Sequence, residues 1–400
     1  MIRHLLKLVW HRKRANALVA VEIFFSFLVV FAVVTGAIAL ITGWHRPLGF
    51  AWDDVWVIHV GGLGGPPEQL DSPDDPMRET MARVVRETKA FPQVVAAGLS
   101  DTPPFGNGTS EGVWERNGRT VRITRDEVSD GFAAALKMNV IRGRWFSPAD
   151  DALDFRPVVI DSDLAKAFFG DADPIGQKFD EYQKVVYRVV GVVPPYRKNG
   201  EFSAPGLNMV FYRKSLEKPN GRIPTDLLVR VRPGTPAEFE AQLTEHLHST
   251  MPDLSFDVRR LDRMRDFANR MRATPLIVGG IIALFLISMV ALGLTGVLWQ
   301  NVTRRTRELG LRRAVGASGT GVRRQILAEV ALLATLAVIV GLVVVLQLPL
   351  IGVFAIFTPT VFTAGIVAAL AVIYGITLAS GLYPSWLASR LEPAEALRYE

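Results

Sequence analysis

Four long, nearly charge-free apolar stretches constrain this chain more than any other feature. One lies near its start and three near its end: Ala17–Ile41, Pro275–Trp299, Ile326–Leu348 and Val361–Tyr383. Each is long enough to cross a hydrocarbon core of about 30 Å as a helix. Only helices and closed barrels satisfy the backbone in lipid, and unbroken apolar runs exclude the alternation of a barrel strand. The expectation is a four-span membrane protein in a 1+3 arrangement, with a large water-soluble segment between the first and second spans.

The formal net charge of +6 is unevenly spread. Residues 1–16 carry Arg3, Lys7, Arg12, Lys13 and Arg14 and no acid. The 300–325 link carries seven arginines against Glu308, whereas residues 44–299 are slightly acidic. Basicity confined to membrane flanks does not indicate nucleic acid. Short Lys/Arg-rich loops belong in the cytoplasm. That rule assigns 1–16, 300–325 and the 384–400 tail to the inside, and the 44–260 domain and the 349–360 loop to the outside. The 17–41 run exceeds the roughly 7–15 apolar residues of a signal-peptide core, and its cleavage would leave an odd number of spans. It is therefore read as an uncleaved anchor.

The outer segment has two similar ends. Val55–Val60 reads as a strand, Met77–Ala90 as an amphipathic helix, and Val94–Leu99 as a second strand after Pro92. Leu227–Val231, Ala237–Ser249 and a strand through Phe256 and Val258 repeat that order. Two strand–helix–strand units split by an insertion predict a ferredoxin-like α+β layer carrying a mostly-β subdomain at about 103–222. Within the insertion, Thr120–Ile123, Pro157–Ile160 and Val185–Val193 read as strands and Asp163–Phe169 as a helix stopped by Gly170. Residues 261–274 are charged and helical, and are expected to form a stalk running into the second span, with Pro275 as a kink.

In the link, Val302–Val315 has the pattern of a short Arg-studded amphipathic helix, stopped by Gly316. Ser318 is placed to cap the next helix. The run Arg307-Glu308-Leu309-Gly310-Leu311-Arg312-Arg313-Ala314-Val315-Gly316 resembles the signature of MacB/FtsX-type ABC-transporter permeases. The terminal Leu391-Glu392-Pro393-Ala394-Glu395-Ala396-Leu397 is similar to that family's C-terminal motif. In the outer segment, Met138–Phe146 followed by Asp150, and Asp173-Pro174-Ile175-Gly176-Gln177, resemble its periplasmic core domain.

The resemblance implies a non-catalytic permease subunit of the bacterial inner membrane that works as a homo- or heterodimeric pair. It is driven by a dimer of separate ABC ATPase subunits, which bind the ATP and Mg; this chain holds no cofactor or metal. It further implies that the link is a coupling helix, with Arg307, Glu308, Leu309, Gly310, Arg312, Arg313 and Gly316 as its motif. ATPase contacts are expected at Glu308, Leu309, Arg312 and Arg313. Movement would pass to the outer domain by mechanotransmission, exporting or extracting a hydrophobic or amphiphilic cargo. A periplasmic adaptor or outer-membrane component would complete the path. Two alternatives stay open: an FtsX-like regulator of a cell-wall hydrolase, and a membrane-anchored sensor or adaptor.

Catalytic signals are missing. There is no cysteine and no Gly-Lys dipeptide, so thiolate chemistry and a phosphate-binding loop are both excluded. The six histidines include no His-Glu-x-x-His pair. The glycine cluster Gly61–Gly65 runs into Pro66-Pro67 rather than a helix and reads as a loop. Glu22 is an acid inside a span, which is costly. Its expected partners are Arg14 or the headgroups, or a helix of a neighbouring permease. Gly293 and Gly296, with Gly279 and Gly280, are candidates for close helix packing.

Overall fold

The computed structural model describes residues 13–62, 76–106, 108, 110–116, 119–182, 184–202, 208–218, 222–304, 318–350 and 357–390. Numbered along the chain, its elements begin with α1 (Lys13–Trp44), β1 (Val55–Gly61), α2 (Pro76–Lys89) and β2 (Val94–Ser100). The inserted segment holds β3 (Ser110–Arg116), β4 (Arg119–Val128), α3 (Phe132–Ala135), β5 (Arg142–Gly143), β6 (Arg156–Asp161), α4 (Ser162–Phe169), β7 (Lys178–Tyr182), β8 (Val185–Val193) and β9 (Met209–Arg213). There follow β10 (Asp226–Val231), α5 (Glu238–Thr250), β11 (Ser255–Arg260), α6 (Leu261–Arg304), α7 (Gly319–Gln347) and α8 (Pro359–Arg390). The chain divides into two compact units, Gly43–Arg272 and the remainder.

The first unit is built on one sheet of order β11-β1-β10-β2-β4-β9-β6-β8-β5, with β3 paired to β4 and β7 to β8. Its first four strands are all antiparallel, and α2 and α5 join them as strand–helix–strand crossovers. This is the ferredoxin-like layer read from the sequence. Strand side chains alternate faces, and here both faces are covered. Trp56, Ile58 and Val60 of β1 pack with Met81 and Val84 of α2 and Phe239, Leu243 and Leu247 of α5. Val55 and Val57 pack on the other side with Phe132, Tyr196, Phe211 and Leu228. Double-sided burial is why β1 reads as an apolar run rather than an alternation.

The insertion continues the same sheet instead of standing apart. Its join is narrow: β2 and β4 share the single pair Ser100↔Val128. Side chains reinforce that seam. Ser129 Oγ accepts from the Leu99 amide at 2.8 Å. Asp126, buried at 1% exposure, accepts from Ser100 Oγ at 2.8 Å and from the amides of Asp101 and Thr102 at 3.1 Å. Beyond the seam, β4 pairs parallel with β9, β9 antiparallel with β6, and β6 parallel with β8. Helix α4 starts where Asp161 Oδ1 accepts from the Leu164 amide at 2.8 Å, and stops at Gly170, whose φ is +62°. The Met138–Asp150 motif forms a clamp. Arg144 NH1 donates to Asp150 Oδ2 at 2.9 Å, and the Ser147 amide donates to the same oxygen at 2.9 Å.

Residues 261–272 form the first three turns of α6, and Leu261, with no exposure, joins Met264 and Ala268 in the buried cluster that holds Tyr196. Positions 261, 264 and 268 follow helical spacing and make an apolar stripe that the domain covers. The helix passes through Pro275 without a break.

In the second unit, α1, α6, α7 and α8 are long and apolar enough to cross a membrane. Ile23, Phe27, Val30 and Phe31 of α1 meet Val290 and Leu294 of α6, Ala334, Ala337 and Val338 of α7, and Ala369 and Ile373 of α8 in one buried cluster. Thr335 Oγ1 and the Tyr374 hydroxyl, 2.9 Å apart, link α7 to α8. Helix α8 continues through Pro384 to Arg390, past the expected span end at Tyr383.

Candidate functional site

The coupling motif of the link, Arg307, Glu308, Leu309, Gly310, Arg312, Arg313 and Gly316, lies outside the described residues. So does most of the Gly61–Gly65 cluster. What is described are the ends that hold the link: α6 runs to Arg304, and α7 starts at Gly319 behind Ser318, whose Oγ accepts from the Gly321 amide at 3.2 Å. Among the intramembrane candidates, Glu22 faces Gly293 of α6, where an added Cβ would lie 3.0 Å from Glu22 Oε2. Gly296 and Gly280 have nothing within 4 Å of such a Cβ. Closer approaches fall elsewhere. A Cβ on Gly341 would meet the Phe27 ring at 2.5 Å, and one on Gly365 would meet Thr35 Oγ1 at 2.0 Å.

A second constellation lies in the Gly43–Arg272 unit and was not legible as a site in the sequence. The chain leaving β8 passes Pro194-Pro195 and then sets Tyr196, Arg197, Lys198 and Glu201 inward, each at 8% exposure or less. Arg197 donates to the carbonyls of Gly43 at 2.7 Å, Arg46 at 3.1 Å and Glu201 at 2.7 Å. The last turn of α1 approaches so closely that a Cβ on Gly43 would lie 2.3 Å from the Glu201 carbonyl oxygen. Glu201 in turn accepts from Arg265 Nε at 2.8 Å and Asn269 Nδ2 at 3.1 Å, both on α6. Arg272 NH1 donates to the Asn199 carbonyl. The Arg265 guanidinium also lies 4.4 Å from the Trp52 ring centre and 5.5 Å from that of Trp44.

This short loop therefore grips both the segment leaving α1 and the segment opening α6. Burial alone would raise the Glu201 pKa, but the Arg265 and Asn269 donors outweigh it and hold the carboxyl below its usual range. An ionised, hydrogen-bonded carboxylate between two helix residues is a stiff link, and removing one partner of such a buried pair costs about 3–5 kcal/mol. The adjoining side chains tie the loop to the core. Tyr196 stacks among Phe50 at 5.1 Å, Phe211 at 5.1 Å and Phe132 at 6.4 Å. Lys198, 1% exposed, donates to the Gly108 carbonyl. Burial lowers its pKa to about 8, against the pull of Asp126. Burial raises Asp126 to about 7, with Lys198 opposing. The loop thus connects the two helix-leading segments to the Asp126 seam of the sheet. The one sequence signal was a basic pair following an apolar strand through two prolines, and it has no meaning until its distant partners are known.

Comparison with known proteins places both parts of the chain. Residues 24–246 match the MacB-like periplasmic core domain and residues 280–393 the FtsX-like permease C-terminal domain. The macrolide export ATP-binding/permease protein MacB of Bordetella avium is 30% identical over 330 residues, covering 80% of this chain and 48% of that one. The protein of the same name from Bdellovibrio bacteriovorus is 25% identical over 321 residues, covering 76% and 48%. The chain thus spans about half the length of these relatives. Among solved structures, the periplasmic region of MacB from Actinobacillus actinomycetemcomitans aligns at 14% identity with a TM-score of 0.39, covering 57% of this chain and 98% of that one.

Proposed function

This chain belongs to the family of permeases that join a MacB-like periplasmic core domain to an FtsX-like C-terminal domain, and from that premise we propose that it is the permease subunit of an ABC transporter. It sits in the bacterial inner membrane with the 44–260 domain in the periplasm and both termini in the cytoplasm. Partner ATPase subunits grip the 300–325 link through Glu308, Leu309, Arg312 and Arg313. Bidentate arginine–carboxylate bonds and a buried leucine are the chemistry that a moving interface of this kind requires. A second permease, identical or not, completes the membrane part. The cargo is hydrophobic or amphiphilic and is moved by the outer domain rather than through the bilayer core.

The observation that carries this reading is the match of both family domains, in order, to a chain whose apolar helices follow the 1+3 arrangement. The Arg197–Glu201–Arg265 clamp supports the mechanical part, because it grips the residues on which any displacement of α1 or α6 would pull. The test is purification of the tagged chain from its native membrane in mild detergent, with ATP hydrolysis measured for wild type and for Glu308→Ala/Leu309→Ala/Arg312→Ala. Co-purification of an ATPase with wild type and its loss from the triple variant is the expected result. An ATPase retained by the variant with unchanged hydrolysis would remove the link from the mechanism. Absence of any ATPase with wild type would remove the transporter reading.

A further inference from the structure

Helix α4 has eight residues, so at 1.5 Å per residue it covers only about 12 Å of the inserted sheet. Its Leu164 and Phe168 share one buried cluster with Val158 and Ile160 of β6, Val189 of β8 and Val210 of β9. Two residues along each strand the same face continues, but α4 stops short of it. There the side chains change from aliphatic to aromatic and charged, and they line a half-open cavity of about 470 Å³. That volume lies within the range of about 300–1,000 Å³ typical of small-molecule sites.

The walls are preset. Tyr187 and Tyr212 stand edge to face with ring centres 5.4 Å apart. The Trp114 indole lies across Gly112, where a Cβ would come within 2.2 Å of the ring, and its Nε1 donates to Asp180 Oδ2 at 3.3 Å. Most of the charges around the cavity are spoken for. Lys214 pairs with Glu127 at 3.1 Å, Arg125 Nε donates to Ser110 Oγ at 2.6 Å, and Arg213 is held by Asp130 and Asp151. The side chain of Arg156, half-buried in the wall, has no hydrogen-bond, ion-pair or ring partner among the described residues. A guanidinium partly withdrawn from water beside aromatic faces favours an anion that brings its own apolar surface.

We propose that this cavity binds an amphiphilic organic anion, its apolar or aromatic body against Trp114, Tyr187 and Tyr212 and its acidic group on Arg156. The site is built by the inserted layer alone and does not depend on the transport reading. The test is equilibrium dialysis of naphthalene-2-sulfonate against the full chain in lipid nanodiscs, with empty nanodiscs subtracted. The 2-naphthyltrimethylammonium cation serves as the charge-reversed probe. Saturable binding of the sulfonate is expected, about tenfold weaker in Arg156→Gln and partly restored in Arg156→Lys, with little binding of the cation. Trp114→Phe, which keeps an aromatic face but loses the tie to Asp180, should weaken binding without abolishing it. No saturable binding above empty nanodiscs, equal affinity in wild type and Arg156→Gln, or equal binding of the cation would each overturn the proposal.

Discussion

Asp126 shows how one residue makes the seam of the sheet sensitive to pH. Three donors converge on its carboxylate, yet burial dominates and raises its pKa to about 7. Lys198, Asp101 and Tyr196 are the titratable groups that interact with it. Burial also raises Asp161, the cap of α4, to about 7. An unfolded Asp ionises near 3.9, so between about pH 4 and 7 the folded chain keeps protons that the unfolded chain releases. Stability is therefore greatest at the acid end of that window and falls as pH rises, by about 1.4 kcal/mol per pH unit for each such proton. Asp150 and Glu201, held below the usual range despite burial because Arg144 and Arg265 bond them, act in the opposite direction and at lower pH. In Asp126→Asn, unfolding monitored between pH 5 and 7 should lose a clear part of the wild-type pH slope, leaving the parts due to Asp161 and to Asp226, which burial also raises. A variant with the full slope would show that Asp126 ionises normally in the folded chain.

At the scale of elements, the membrane helices are set by where backbone meets side chain. Lipid removes the hydrophobic drive between helices, so close packing at small residues decides their association. The sequence identified glycine as the means, but not which glycines. Gly296 and Gly280 have open space where a Cβ would sit, whereas Gly365 is pressed on Thr35 and Gly341 on Phe27. Gly365→Ala should destabilise the protein by about 1–3 kcal/mol, as overpacking does. Gly280→Ala should leave thermal unfolding in detergent within about 0.5 kcal/mol of wild type or raise it slightly, because Ala is the better helix former. Equal effects at the two positions would mean that α1 and α8 do not pack as described. The strands divide in the same way. Val55–Val60, Leu227–Val231 and Val185–Val193 were legible because each is an apolar run. By contrast, β3 (Ser-Glu-Gly-Val-Trp-Glu-Arg) and β7 (Lys-Phe-Asp-Glu-Tyr) carry too much charge to signal a strand, and exist because β4 and β8 offer them edges to pair with.

For the whole molecule, three of the four buried clusters among the described residues draw every member from residues 43–272. A protein comprising Gly43–Arg272 should accordingly fold by itself in water and unfold cooperatively, as followed by circular dichroism. Non-cooperative melting would show that its core needs the membrane helices. The sequence by itself determined the number and order of the apolar helices, the split ferredoxin-like layer and the family motifs, because span length, period and motif spacing are local properties of the chain. Tertiary structure alone decided the single-pair seam at Ser100 and Val128, the cavity beyond α4, and the clamp in which Arg197 reaches Gly43 across 154 positions and Arg265 reaches Glu201 across 64. Each of these is a meeting of residues whose separate neighbourhoods give no sign of the other, since long-range pairing is set by how the layers stack and not by any local preference.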